Sequence, residues 1–354
     1  MKVIFVCNKY SPAHIYSIQS YSYIFNSDGI DTFLLDDFIN DKRRFEKSCF
    51  NFISLSKLKN IKDDLTFFFV SPNINNIKTL KTIKKQLPRA KTVYLYHEPI
   101  NRQVRKELLH DRGFSFGTIK YIIGLSLYNG KKLIKLFDKI ILPSKNANDI
   151  YEQDSLFRKT NHEIIHLLFK DDVKKNEEER EFLSYIGTVA NNHGFPEFVD
   201  FLLKMETPKD LNVCIATSSQ INQETITLLK TKFNDKITIF SGSFMSDEVI
   251  SKLYKQTKVL WLGYKHSAQS GVLPMAFMYG TPIICSDIPS FKEFTKIGVN
   301  CEIVDINNCS SIEQGIETIA KNFNKYHDGC IKTYNEFFNP KAKYDIVLKV
   351  FKNL

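Results

Sequence analysis

The chain has 354 residues, a length that suits two domains, three at most. An apolar fraction of 43% and a charged fraction of 25% are ordinary for a globular protein, and exclude widespread disorder, a collagen-like fibre and a stapled miniprotein. Forty-nine Lys and Arg against 39 Asp and Glu leave a net charge of +10.

In chain order, Lys2–Cys7 is a short apolar run suited to a buried strand. A polar loop with His14 and a helix-compatible segment follow, closed by Ser27-Asp28-Gly29. Ile30–Leu35 and Leu65–Val70 read as strands, the second stopped by Ser71-Pro72. Ile74, Ile77, Leu80, Ile83 and Leu87 recur at helical spacing with Lys78, Lys81, Lys84 and Lys85 among them, which predicts an amphipathic helix with a basic outer face. Thr92–Tyr96 is a strand ending in His97-Glu98-Pro99, and Lys139–Leu142 is another. His162 and His166 sit in an apolar run that reads as a strand rather than a metal site.

The charged run Glu177-Glu178-Glu179-Arg180 reads as a solvated linker. Strands then recur at Phe182–Ile186, Leu211–Ala216, Ile237–Phe240, Val259–Leu262, Pro282–Cys285 and Glu302–Val304, with helical segments between them. One helix begins at Ser310 with Glu313 three residues on, the spacing of a capping box. Strands alternating with helices predict parallel sheets. The expected fold is α/β: two doubly wound Rossmann-like domains facing a central cleft. Their bounds are 1–168 and 169–336, with a helix over 337–354 packing back on the first domain. Such sheets bind ligands outside the carboxyl ends of their strands, which puts the active site in the cleft.

Seven cysteines, none in a C-x-x-C pair, several in apolar runs, predict a reducing cytoplasm. Lys9 interrupts the N-terminal apolar run too early for a signal peptide, and no stretch approaches the ~18 apolar residues of a spanning helix. Asp36-Asp37, Asp63-Asp64 and Asp171-Asp172 lack a D-x-D spacing, and no metal is expected. The positive charge is local: residues 78–145 hold sixteen Lys and Arg against four acids, so the rest of the chain is slightly acidic. That segment includes Phe114, Phe116 and Tyr121–Leu127. Cations beside apolar anchors suit an anionic membrane surface; a generically basic surface is the plainer reading. No nucleic-acid motif accompanies the charge, so nucleic acid is not an expected partner.

The stretch with most chemistry is Gln269–Glu293. Strand Val259–Leu262 ends in the polar loop Tyr264–Gln269, Ser270-Gly271 opens a helix running to about Tyr279, Gly280 stops it and Pro282 follows. A helix start after Ser-Gly presents unpaired backbone N–H groups, and glycine lets a phosphate approach. The same residues also suit an ordinary strand–loop–helix with a serine cap.

This stretch resembles the donor-binding region of GT-B glycosyltransferases, specifically the large retaining family four. Phe182–Gly187 with Gly194-Phe195, Phe240–Tyr254 and Ile140–Ala147 resemble further segments of that family in the same order. The resemblance implies a metal-independent, retaining transferase of hexosyltransferase type, taking a nucleotide-sugar donor and a lipid-linked or surface-glycan acceptor. It would work in the cytoplasm, peripheral at the inner face of the cell membrane, and would need no cofactor.

On the donor side the resemblance implies Gly187, Thr188, His193, Phe244, Met245, Gln269, Ser270, Gly271 and Val272. His97 and Glu98 are the candidates for positioning the acceptor hydroxyl or taking its proton. His14 and Ser144 fall on the acceptor side, where Ser144 reads equally as a helix cap. The chain departs from the family in two places. The E-x7-E pair would fall at Ser267 and Met275, and the diphosphate-binding Arg and Lys near Thr188 and His193. A divergent active branch accounts for this, as does a non-catalytic GT-B protein that binds a glycan or partner; a nucleotide-sugar epimerase of the same fold is a third reading.

Overall fold

Strands in this chain are mostly continuous apolar runs, as sheets covered on both faces require. The computed structural model describes all residues except 9–11, 40–44, 46–49, 74, 100–104, 107–108, 110–112, 124–131, 154–160, 172–177, 206–210 and 268. The chain forms two units, Met1–Lys170 with Phe338–Leu354, and Asp171–Phe337.

In the first unit, β1 (Lys2–Val6), β2 (Asp31–Leu35), β3 (Phe52–Ile53), β4 (Leu65–Phe69), β5 (Lys91–Leu95), β6 (Lys139–Leu142) and β7 (His162–Ile164) form a parallel sheet in the order β3-β2-β1-β4-β5-β6-β7. The order reverses between β1 and β4, where Val6 pairs with Phe69. The helices include α1 (Pro12–Ser27), α2 (Asn76–Gln86), α3 (Phe116–Ile123) and α4 (Lys145–Glu152). Strand side chains alternate between two faces. Ile4, Val6, Phe67, Phe69 and Tyr94 pack in one core with Leu80 and Ile83 of α2 and Tyr151 of α4. On other contacts, Phe5 and Phe68 meet each other at 5.7 Å, and Tyr21 of α1 stands edge-on to Phe68 at 4.8 Å. Helix α2 follows the helical spacing of the sequence; Ile74, counted in that spacing, lies outside the described residues.

In the second unit, β8 (Phe182–Ile186), β9 (Asn212–Ala216), β10 (Ile237–Phe240), β11 (Thr257–Leu262), β12 (Ile283–Cys285) and β13 (Cys301–Ile303) are parallel in the order β10-β9-β8-β11-β12-β13. The reversal here falls between β8 and β11. Its helices include α5 (Phe195–Lys204), α6 (Gln223–Phe233), α7 (Asp247–Gln256), α8 (Val272–Met278), α9 (Cys309–Lys321) and α10 (Phe323–Thr333). Trp261 of β11 packs on Phe198 and Phe201 of α5, at 5.3 and 6.4 Å between centroids. Finally α11 (Tyr344–Lys352) returns to the first unit, where Phe351 meets Phe25 at 4.8 Å and Phe68 at 5.1 Å. Among the described residues, no helix is long and apolar enough to cross a membrane.

Two sequence expectations change. Arg180 is not a solvated linker residue: its guanidinium donates to the Tyr254, Thr257 and Tyr279 carbonyls and to Thr281 Oγ1, and lies over the Phe323 ring at 5.2 Å. The backbone carbonyls near the ends of α7 and α8 offer it acceptors that the linker reading overlooked. Helix α9 starts earlier than its capping-box spacing implied. Asn308, not Ser310, is the cap and accepts from the Ser311 N–H at 3.2 Å.

Candidate functional site

Every strand of the second sheet is parallel, so the loops after β8, β10 and β11 leave the same edge. Where strand order reverses, the flanking connections diverge and leave room for a ligand. In this unit the loops that meet at the reversal are those after β8 and β11.

Gly187 follows β8 with φ +147°, and a Cβ built on it would stand 3.6 Å from Val272 Cγ2 at the start of α8. Gly194 has φ +68°, and a Cβ there would stand 1.9 Å from the Gly263 carbonyl oxygen. Trp261 Nε1 donates to the Gly194 carbonyl at 3.1 Å, and the Lys265 N–H to the Asn192 carbonyl at 2.9 Å. The two loops are therefore fixed to each other along their length.

Between these contacts His193 stacks on Tyr264, with centroids 4.4 Å apart and planes 7° apart. His193 Nδ1 lies 3.1 Å from the Thr188 carbonyl. A carbonyl only accepts, so Nδ1 carries the proton and Nε2 the lone pair when the ring is neutral. Burial, opposed by that hydrogen bond and aided by nearby His266, lowers the His193 pKa, so the ring is neutral at pH 7. Thr188 thus contributes its carbonyl, which also accepts from the Tyr185 hydroxyl at 2.7 Å.

Ser270 Oγ accepts from the Val272 N–H at 3.2 Å and donates to the Tyr264 hydroxyl at 3.4 Å. The Val272 N–H is therefore occupied within the loop, and its side chain faces Gly187. Gly271 has φ −76°, which any residue adopts, so the backbone does not demand glycine there. Ser267, at the first position of the missing acidic pair, accepts from the Gln269 N–H at 3.1 Å and donates back to the Gln269 carbonyl. Met275, at the second position, is buried on α8. Phe244 and Met245 lie after β10, the outer strand, and β9 separates that strand from β8. Phe244 is exposed there.

Sequence reasoning missed Tyr264 and Lys265. Lys265 Nζ lies 2.7 Å from Glu197 Oε1 and 3.3 Å from Asn191 Oδ1, which brings a cation to the loop that carries His193. Their place directly after the strand at the reversal was the available signal.

In the first unit the corresponding reversal, between β1 and β4, gathers other candidates. His97 is buried beyond β5, and its Nε2 donates to the Val70 carbonyl at 3.0 Å, leaving Nδ1 as the acceptor nitrogen. Burial pushes the His97 pKa down to about 4, against a smaller opposing effect of that hydrogen bond. His14, in the first turn of α1, lies 5.5 Å from it between ring centroids. Glu98 is exposed beside His97. Asn76 Nδ2 donates to the Ser71 carbonyl at 2.8 Å. Among the described residues, Asn8 Oδ1, Ser71 Oγ and Asn76 Oδ1 are buried oxygens without a hydrogen-bond partner. Ser144 is buried and accepts from the Ala147 N–H at 2.9 Å, capping α4. His162 stays on β7, with Nε2 3.4 Å from Glu152 Oε1. Among the described residues, no three His, Cys, Asp or Glu side chains gather as a metal site would.

Residues 168–334 match the family described as Glycosyl transferases group 1. Among solved structures, Anabaena HepE in complex with UDP-glucose superposes with a TM-score of 0.71 at 12% identity, over 100% of each chain. A glycosyltransferase from Rickettsia africae gives 0.70 at 11% identity, over 99% of this chain and 98% of that one. Sucrose-phosphate synthase from Thermosynechococcus elongatus gives 0.66 at 10% identity, over 100% of this chain and 99% of that one. At these identities the likeness is one of fold. No curated protein matches the chain by sequence.

Proposed function

We propose, from the match of residues 168–334 to the glycosyl transferases group 1 family and from the GT-B fold of two parallel-sheet Rossmann-like units, that the protein transfers a sugar from a nucleotide-sugar donor to a lipid-linked or surface-glycan acceptor in polysaccharide or lipopolysaccharide-type biosynthesis. The observation that carries the reading is the position of the family segment: it contains both loops that meet at the β8–β11 reversal.

In this reading the leaving diphosphate is met by the backbone at Ser270 and Gly271, with His193 Nε2 beside it, and Gly187 keeps the approach open. Preorganised donors of this kind stabilise charge as it develops. Thr188 and Gln269 hold the two loops in shape, Val272 closes against Gly187, and the loop at Phe244 and Met245 takes the base and ribose. His97 and Glu98 aim the acceptor hydroxyl, with His14 against His97 and Ser144 shaping the acceptor side. Buried polar atoms ordinarily find a partner, so the oxygens of Asn8, Ser71 and Asn76 mark where polar groups gain most from one. Nothing in this scheme requires a metal. Transfer is read as retaining, in the cytoplasm, with residues 78–145 turned to an anionic membrane surface.

A thermal-shift panel of UDP-, GDP-, CMP- and dTDP-sugars tests the proposal, beginning with UDP-glucose because HepE is solved with it. One donor should stabilise the chain and then be consumed when acceptor is added. Stabilisation by none of them overturns the reading. Ser267 and the buried Met275 favour the second reading, a non-catalytic glycan- or partner-binding protein. Donor turnover abolished by Glu98→Gln would reject it, and product released without acceptor would indicate an epimerase.

A further inference from the structure

Large apolar side chains at a surface need a partner or a reason. In the first unit Phe114 and Phe116 are 86% and 85% exposed, and Tyr121 and Ile123 of the same short segment 41% and 48%. Thr118 and Ile122 of α3 face inward. The helix therefore has an anchored side and an apolar outer side, with exposed Lys120 between the aromatics.

The charge around it is positive, and part of it is available. Lys84 is tied to Asp138 at 2.9 Å and Lys139 to Glu163 at 3.2 Å, so these two serve the fold. Lys78, Lys81 and Lys85 of α2 are exposed. Leu133 and Ile134, late in the connection from β5 to β6, share a core with Leu80 and Ile83 of α2.

We propose that Phe114, Phe116, Tyr121 and Ile123 insert into the headgroup region of an anionic lipid bilayer, with the exposed lysines holding the face down. A second copy of the chain would bring like charge against like charge, and an acidic lipid surface does not. Aromatic and aliphatic anchors gain by leaving water, and each nearby cation adds attraction. The inference rests on the membrane-facing reading of residues 78–145. Its test needs no sugar nucleotide, so its failure leaves the transferase reading standing, and the reverse holds as well.

The experiment is co-sedimentation of the full chain with vesicles of phosphatidylcholine alone or with equal parts phosphatidylglycerol. Binding is expected only to the anionic vesicles. Phe114→Ser with Phe116→Ser should weaken it by about tenfold or more, from the transfer free energy of two aromatic side chains. Thermal unfolding should stay as in the wild type, since both rings are in solvent. Lys78, Lys81 and Lys85→Gln should weaken binding at low salt and flatten its salt dependence. As a second readout, Phe116→Trp should show blue-shifted emission on adding anionic vesicles. No binding at low salt, or unchanged binding by the double serine variant, overturns the proposal. So does a wild-type dimer that the serine variant dissociates, or nucleic-acid binding lost in that variant.

Discussion

His193 lies face to face with Tyr264, 4.4 Å between centroids, with Nδ1 held on the Thr188 carbonyl. The stack fixes the plane of the ring and the hydrogen bond fixes which edge faces Thr188, so Nε2 is the nitrogen left for chemistry. Burial keeps it neutral in the free protein. A diphosphate bound beside Nε2 raises its pKa, so binding takes up a proton. Donor affinity should then rise as pH falls from 7.5 toward 6, and His193→Asn should abolish that slope. Calorimetric titration at several pH values checks it; an unchanged slope in His193→Asn removes His193 from the donor site.

Gly194 and Gly271 should separate structure from binding. Gly194→Ala places a Cβ on the Gly263 carbonyl at 1.9 Å in a left-handed backbone, so the β8 and β11 loops must part. Loss of folded protein, or a fall of several degrees in Tm, is expected. Gly271→Ala suits its φ of −76° and should fold as the wild type. If the diphosphate approaches the backbone there, donor binding still falls about tenfold or more, because the methyl occupies the approach. Equal donor shifts in Gly271→Ala and wild type would place the diphosphate elsewhere.

Both sheets were legible because their strands are apolar on consecutive residues. LTFFF of β4 is buried at every position, and such a run has few other uses. The loops with Gly187 and Ser270-Gly271 were legible as positions, since they follow strands. What they do locally was not. The hydroxyl of Ser270 turns back on the Val272 N–H, Ser267 braces Gln269, and Tyr264 supplies the ring under His193. These are contacts among a few residues whose geometry the chain's spacing does not encode. Arg180 shows the same limit: in sequence it belongs to a charged run, and only the ends of two helices brought to it make it a half-buried, hydrogen-bonded residue. The two-residue strand Phe52–Ile53 was too short to stand out from its surroundings.

Arg180 leads to a stability prediction for the second unit. Burial lowers its pKa to about 10, so it remains a cation at neutral pH. Its charge is met by carbonyls near the ends of α7 and α8, where helix dipoles are negative. Arg180→Met leaves those carbonyls without their donor, and Arg180→Lys offers a point charge in place of a planar fork. Each should cost about 2–4 kcal/mol, the methionine more, as expected for losing several charged hydrogen bonds. Urea unfolding checks this; a loss below 0.5 kcal/mol, an order-of-magnitude bound for an unremarkable surface change, would contradict the buried role.

His97 makes the acid stability of the first unit predictable. Its pKa falls from 6.5 when unfolded to about 4 when folded, because burial disfavours the imidazolium. Between those values the unfolded chain binds the proton and the folded chain does not. Stability is therefore complete above pH 6.5 and is lost as pH falls toward 4. Linkage puts the loss at about 2 kcal/mol by pH 5, for this group alone. His97→Gln keeps an amide donor for the Val70 carbonyl and has no proton to gain in this range. At pH 7 the variant should be equal to the wild type or weaker, since the side chain fits less well. Its stability should then change less between pH 7 and 5, so the two unfolding curves converge or cross as the solution is acidified. Urea midpoints at pH 7, 6 and 5 measure the difference. Parallel pH profiles for the two proteins would mean that His97 takes up its proton in the folded state, and would return it to the role of a general base near neutrality.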